Sequence, residues 1–482
     1  MLKMQDQFLI TAFISICVLI GMPRDSWAQK PSLQSHLEKI VADSKIPVGE
    51  LGLVVANAEG QILFKLNSDK YFIPASLTKI VTGAAVLEKM PIGHQFVTEL
   101  RGTVSPNDSA EYKGSIYLRG GGDAGFVSES MWFLVNEFVR TGIKKISGDI
   151  IVDDSRFDKV RFDPSRDQSR VDRAYDSPIG AMTFNWSAVN IFVRPAVKQG
   201  QSAKVFVDPE TRYIEIVNKA KTVAAGKRTK ITVENKGLSG DKKREVVHVS
   251  GEIAVGANEF VSYKSIQQPD IWAGIQLSHF LQQRGIQVAG EVKAGDSKSA
   301  AIMLAQYKSR PVSEHVVGMM KFSNNYIAEI LTKNLGVEAS GEPGTMSKGI
   351  DALRKYMQEK KLGPEARLEN PSGLSRKNKF SPIDILTVLI DIKQNFRLFP
   401  EFFASLPIAG TDGTLKRRLG QDRINGHVRA KTGHLTGVAG LAGYVGDDNG
   451  QIYPFVFLHN GSADNSYRAK DLFDRLIVKV AH

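Results

Sequence analysis

The stretch Pro74-Ala75-Ser76-Leu77-Thr78-Lys79-Ile80-Val81-Thr82-Gly83-Ala84 decides how this chain is read. Leu77, Ile80, Val81 and Ala84 recur at helical spacing, and Pro74 marks the start. Ser76 and Lys79 are then i and i+3 on one helix face, with Cβ atoms roughly 5–6 Å apart. A serine hydroxyl is a poor nucleophile until a neighbour takes its proton. A neutral amine does so, but a lysine at its reference pKa of about 10.4 does not. Lys79 must therefore be desolvated or set beside a second cation. Alone, the four-residue pattern has little specificity. The chain repeats it at Ser239-Gly240-Asp241-Lys242, where a Gly-Asp turn signal without apolar periodicity marks a chance match.

Working outward, residues 51–56 and 61–66 are apolar strands around the turn Asn57-Ala58-Glu59-Gly60, which reads as a hairpin before the helix. Between 96 and 286 strand-like segments dominate, at 115–119, 148–153, 203–207, 213–217, 229–233 and 246–249, with one helix near 129–141. Helical patterns return at 271–284, 315–335, 350–358 and 382–394. Strands follow at 427–431, 438–445 and 452–458, then an amphipathic helix at 465–480. This order predicts a discontinuous α/β core whose first and last segments share one sheet, interrupted by a β-rich insertion of two small domains. The length of 482 residues exceeds one ordinary domain. With 42% apolar and 24% charged residues the composition is that of a folded globular protein.

An apolar run at 8–22 follows Lys3 and precedes Ser26-Trp27-Ala28. It is short for a membrane span and predicts an export leader over 1–28, with an uncleaved anchor as the alternative. The single cysteine, Cys17, lies inside it. A mature chain without thiols excludes disulfides, zinc ribbons and thiol nucleophiles. The nine histidines form no His-Glu-x-x-His, which argues against a zinc peptidase. No metal or organic cofactor is expected.

The net charge is +12, and half of it lies in residues 218–245. There Lys219, Lys221, Lys227, Arg228, Lys230, Lys236, Lys242, Lys243 and Arg244 face only Glu234, Asp241 and Glu245. This reads either as weak attraction to an anionic wall or membrane surface, or as a solvated hairpin whose lysine edges resist aggregation. Nucleic acid is not an expected partner of an exported protein.

Two further motifs carry chemistry. Ser323-Asn324-Asn325 precedes or opens a helix: the serine is a candidate proton relay, and the amide of Asn325 can hold a substrate carbonyl. The alternative is a helix N-cap. Lys431-Thr432-Gly433 falls at the end of a strand and reads as a carboxylate site with close backbone access, or as a hairpin turn.

In the order Ser-x-x-Lys, Ser-x-Asn, Lys-Thr-Gly the three motifs resemble the set of penicillin-binding proteins and active-site serine β-lactamases. Ser76 and Ser323 are 247 residues apart, far more than in serine β-lactamases. The chain resembles instead the class C low-molecular-mass penicillin-binding proteins, the D-alanyl-D-alanine carboxypeptidase/endopeptidase family. Gly120-Gly121-Gly122-Asp123, residues 148–155, Ser372-Gly373-Leu374-Ser375-Arg376, residues 406–410 and Asp412-Gly413-Thr414-Leu415 share the likeness, which covers residues 29–482.

The resemblance implies a serine β-lactamase/penicillin-binding-protein transpeptidase-like core over 29–95 and 287–482, with 96–286 inserted. It implies a periplasmic enzyme that cleaves peptidoglycan stem peptides as a carboxypeptidase and D,D-endopeptidase, and that penicillins acylate. Ser76 would attack the carbonyl of the penultimate D-alanine, with Lys79 as base. Ser323 and Lys431 would relay the proton to the leaving amine, and Asn325 would position the acyl amide. Lys431, Thr432, Gly433 and His434 would form the carboxylate site, and the backbone amides of Ser76 and His434 an oxyanion hole. Three positions depart from the family pattern: Asn324 for Asp, Asn370-Pro371 for Asp-Gly, and His434 for Ser or Thr. His434 is expected to titrate beside the carboxylate with its pKa depressed by Lys431, or to supply only its backbone. The rival readings are a β-lactamase or esterase on the same core and a non-catalytic wall-binding protein.

Overall fold

The computed structural model describes residues 32–106, 110–166, 172–241, 244–420 and 424–482. The expected leader and two members of the basic run, Lys242 and Lys243, lie outside them.

A five-stranded antiparallel sheet runs in the order Val428–Leu435, Val438–Gly446, Ile452–Asn460, Leu51–Ala56, Ile62–Leu66. The first and last segments thus share one sheet, as their composition predicts. Side chains alternate across it. Val54, Ala442, Tyr444 and Val456 enter one core, with the helices Thr78–Lys89 and Pro382–Gln394. Leu53, Val55, Leu441 and Phe457 enter another, with Leu33–Asp43 and Ala463–Ala481. Leu51–Ala56, covered on both faces, is buried throughout, which its unbroken apolar run permits.

One expected helix is two. The pattern at 315–335 divides into Val312–Lys321 and Asn325–Ser340. Ser323 between them has φ 54°, a left-handed conformation that an i→i−4 helix cannot continue through. Asn324 caps the second helix, its Oδ1 accepting from Ile327 N at 3.1 Å.

Among the described residues the inserted segment, with the strands that follow it to Lys308, builds four further sheets around a core of its own, which includes Leu118, Ile150, Ile191, Val249 and Trp272. Its largest sheet runs Val292–Gly295, Ile150–Asp153, Ile116–Arg119, Val97–Gly102, Ile302–Lys308. The expected boundary after residue 286 therefore cuts through a hydrogen-bonded sheet whose last strand ends at Lys308. The basic run forms the antiparallel pair Lys230–Leu238 and Glu245–Ala254. Val233, Val247 and Val249 turn inward, while Lys219, Lys221, Lys227, Arg228, Lys230, Lys236 and Arg244 are exposed. Glu245 is buried, accepting from Tyr213 Oη at 2.9 Å and Gln267 N at 2.7 Å, so it faces none of these cations from the surface. Among the described residues no helix is long and apolar enough to cross a membrane.

Candidate active site

The 3₁₀ turn Ala75–Leu77 leads into the helix Thr78–Lys89, in which every residue from Thr78 to Leu87 is buried. A helix enclosed on all sides holds its polar side chains away from water. Lys79 is fully buried, whereas Ser76 at the turn is partly exposed. Ala75 has φ 48°, a backbone state that costs a residue with a Cβ of order 1–3 kcal/mol and clusters at functional sites. The loop carrying Ser372 closes over this turn because residue 373 is glycine. At its φ of 86°, a Cβ would stand 2.0 Å from Ala75 O and 2.9 Å from Ser76 N.

Lys79 Nζ has three polar neighbours: Ser76 Oγ at 3.2 Å, Asn325 Oδ1 at 2.8 Å and the Ser372 carbonyl oxygen at 2.5 Å. Two of them are carbonyl oxygens, which only accept; the hydroxyl can donate. A neutral amine has two N–H donors and one lone pair. It satisfies both carbonyls and leaves the lone pair for the Ser76 proton. The surroundings favour that state. Burial holds the Lys79 pKa well below its ordinary value, the Lys431 charge and Arg166 lower it further, and Glu329 opposes them.

Lys431 is also fully buried, and burial lowers its pKa to about 7. Its Nζ donates to Ser323 Oγ at 2.8 Å and to Thr432 O at 2.7 Å. The motif lies inside the strand Val428–Leu435, not at a hairpin turn. A Cβ on Gly433 would stand 2.8 Å from Pro74 O, so the glycine lets this strand run against the turn bearing Ser76.

The strand's outer edge is open at the site. Ala430 N donates to Pro407 O at 3.0 Å on the side away from Val438–Gly446. Alternate residues of a strand direct N–H and C=O to the same side, and the register is unbroken from Val428 to Leu435. The N–H groups of Thr432 and His434 therefore face the same open edge. Thr432 Oγ1 lies 2.9 Å from Thr414 Oγ1. The His434 ring is exposed and sits over the helix Ala463–Ala481, 6.5 Å from the Tyr467 ring. Its pKa is lowered by burial and then by Lys470, against a backbone hydrogen bond at Val438. The depressing cation is thus Lys470 and not the expected Lys431.

The structure brings Ser76, Lys79, Ser323, Asn325 and Lys431 to one centre. Thr432 and Gly433 flank it on the strand, and His434 turns its side chain toward the far helix. A cleft of about 480 Å³ opens beside Ser323 and Asn325, walled by Trp186, Tyr175, Asp208 and Phe322. The motifs do not point to the Ser372 carbonyl, a backbone atom that leaves no residue-type signal, or to Thr414, although Asp412-Gly413-Thr414-Leu415 shares the family likeness. Among the described residues no group of three or more His, Cys, Asp or Glu could hold a metal.

A serine hydroxyl beside an enclosed amine is the pairing that serine acyl transfer requires. The chain belongs to the D-Ala-D-Ala carboxypeptidase 3 (S13) family, whose model matches residues 33–479. It is 30% identical over 455 residues to the D-alanyl-D-alanine carboxypeptidase of Actinomadura sp. (strain R39), covering 90% of this chain and 82% of that one. The crystal structure of penicillin binding protein 4 (dacB) from Haemophilus influenzae matches with a TM-score of 0.76 at 24% identity, over 92% of this chain and 99% of that one. The same protein complexed with a β-lactam matches at 0.71, with the same identity and coverage. Bd3459, a predatory peptidoglycan endopeptidase from Bdellovibrio bacteriovorus, shares the fold at 0.52 and 18% identity, over 89% of this chain and 92% of that one. The protein is a serine-type D-Ala-D-Ala carboxypeptidase.

Proposed function

We propose that Ser76 is the nucleophile of this carboxypeptidase and Lys79 its acylation base. The observation that carries this reading is the set of neighbours around Lys79 Nζ: two carbonyl oxygens for its two N–H groups and one hydroxyl for its lone pair. Ser76 Oγ attacks the carbonyl carbon of the penultimate D-alanine of a stem peptide as Lys79 takes the hydroxyl proton. The oxyanion receives the N–H groups of Ser76 and His434, each such donor being worth roughly 3–4 kcal/mol. The proton passes through Ser323, under Lys431, to the leaving amine; the C–N bond breaks and D-alanine departs. Water then hydrolyses the Ser76 ester. Asn325 Oδ1 accepts from Lys79 Nζ, which leaves its Nδ2 to donate to the carbonyl of the acyl-side amide. Lys431 and Thr432, beside Gly433, hold the terminal carboxylate, and His434 contributes its backbone.

The same acylation with a cross-linked peptide as substrate makes the enzyme a D,D-endopeptidase, and with a β-lactam it yields a persistent adduct on Ser76. We read the protein as exported to the periplasm on its leader, with the catalytic core divided around the inserted region. The exposed lysines of the basic hairpin add a weak, salt-sensitive attraction to the anionic wall or membrane.

Incubation with purified cross-linked muropeptides and a labelled penicillin, followed by mass spectrometry, tests the reading. Loss of D-alanine, cleaved cross-links and a lasting mass increment on the peptide containing Ser76 are expected. Rapid penicillin turnover without a persistent adduct would make the protein a β-lactamase, and absence of both products and adduct would make it a binding protein.

A further inference from the structure

Behind Lys79 lies a second layer of buried charge that the acylation scheme does not use. Arg166 comes from the inserted region, and its side chain is 3% exposed. Its Nε and Nη2 donate to the two carboxylate oxygens of Glu329, at 2.8 and 2.6 Å, and its Nη1 donates to Asp176. Glu329 is fully buried on the helix that begins with Asn325, one turn beyond it. The adjacent Asp163 accepts from Asn370 Nδ2 at 2.7 Å. Asn370 Oδ1 in turn accepts from Ser372 N at 3.1 Å and Ser372 Oγ at 2.6 Å. The carbonyl of that same Ser372 receives the Lys79 N–H.

Two effects on Lys79 follow. A bare carboxylate at Glu329 would stabilise the ammonium form of a buried neighbour and remove the base. A bidentate guanidinium, which never loses its proton, offsets part of that charge. The hydrogen bonds through Asn370 also fix one of the two carbonyls that select the neutral amine. We infer that Arg166 is a positioning residue for the acylation base: it offsets the Glu329 charge behind Lys79, and its loop, through Asp163 and Asn370, sets the Ser372 carbonyl. The inserted region thus completes the base of the core from behind. This inference rests on Lys79 being that base. The groups facing Lys79 are Ser76 on its own helix, Lys431 on the edge strand, Asn325 and Glu329 on the neighbouring helix, the Ser372 carbonyl on its loop, and Arg166.

The test is the rate of acylation by a fluorescent penicillin as a function of pH, in the full chain. Its acid limb reports protonation of the base. In Arg166→Met the limb moves up by about one pH unit or more, a tenfold loss of rate on the acid side, while the plateau at high pH is largely kept. The double variant Arg166→Met with Glu329→Gln returns the limb toward the wild-type position. Glu329→Gln alone moves it to lower pH, and this variant decides the matter if Arg166→Met does not fold. A uniform loss of rate with the limb in place, a double variant no better than the single, or an unmoved limb in Glu329→Gln would overturn the inference. The reading of Lys79 as base fails separately, if Lys79→Arg acylates at the wild-type rate with the wild-type limb.

Discussion

Lys79 and Lys431 approach one hydroxyl-lined centre from opposite walls, Lys79 against Ser76 Oγ and Lys431 against Ser323 Oγ, and both are fully buried. Burial displaces each toward its neutral form, and the Lys431 charge lowers the Lys79 pKa further. Burial sets the Lys431 pKa at about 7, against about 10.4 in an unfolded chain. Between those values the unfolded chain binds more protons, so stability rises with pH through this window. In urea unfolding, Lys431→Met should therefore be more stable than the wild type at pH 6, with an advantage that shrinks as pH rises above about 7 and vanishes only above about 10.4. Parallel stability curves for the two proteins would show that Lys431 keeps an ordinary pKa.

Ser76→Ala should fold normally and form no penicillin adduct. Lys79→Arg should be nearly as damaging, because a guanidinium stays protonated and cannot accept the Ser76 proton. Lys431→Arg should be milder, since a cation still faces the carboxylate. Adduct yield by mass spectrometry separates the three, and an adduct of wild-type yield on Ser76→Ala would sink the nucleophile assignment.

Gly373→Ala places a methyl group 2.0 Å from Ala75 O in a residue held at φ 86°. The turn bearing Ser76 and the Ser372 carbonyl must separate. Misplacement on the ångström scale costs about a hundredfold in acylation rate, and a lowered Tm accompanies it. An alanine variant that acylates at full rate would mean the loop does not hold the site.

His434→Ser should leave the pH profile of KM for a D-Ala-D-Ala peptide unchanged, because the ring lies over Tyr467 while the backbone N–H faces the open edge. A step below about pH 7 that the serine variant lacks would place the imidazole on the substrate carboxylate.

Lys219, Lys221, Lys227 and Arg228, which lead into the basic hairpin, and Lys230 at its start are exposed. Changing all five to glutamine should leave hydrolysis of small soluble peptides intact and weaken binding to sacculi at low salt, with the difference vanishing as salt screens it. Equal binding by both proteins at every salt concentration would leave the segment a solvated hairpin.

The centre was legible in sequence through the order of three motifs, which resembles that of penicillin-binding proteins; singly, neither the helical turn from Ser76 to Lys79 nor Lys431 beside Gly433 specifies it. What was hidden is hidden for physical reasons. The Ser372 carbonyl belongs to the backbone, and the pairing of Arg166 with Glu329 spans 163 residues without any local pattern. The single helix expected at 315–335 failed at Ser323, where no glycine or proline announces a break and a capping Asn324 pays for it. In the insertion, the strand Val97–Gly102 carries Thr98 and Gly102 at buried positions and Glu99 and Arg101 as an ion pair, so its apolar alternation is faint. The boundary at 286 failed for a similar reason, since Val292–Gly295 is held mainly by backbone pairing to Ile150–Asp153 and buries little of its own.

The central sheet joins the two ends of the chain, pairing Leu51 with His459 and Leu53 with Phe457. Contacts so far apart in sequence form late, because loop closure must precede any gain from them. During synthesis, which delivers the N-terminal segments first, Ser76 is made long before Lys431 and before the strands that complete its sheet. Ser76 therefore meets Lys431 and the open edge of its strand only after the last strands have paired, so the centre is assembled by the end of the chain and not by its beginning.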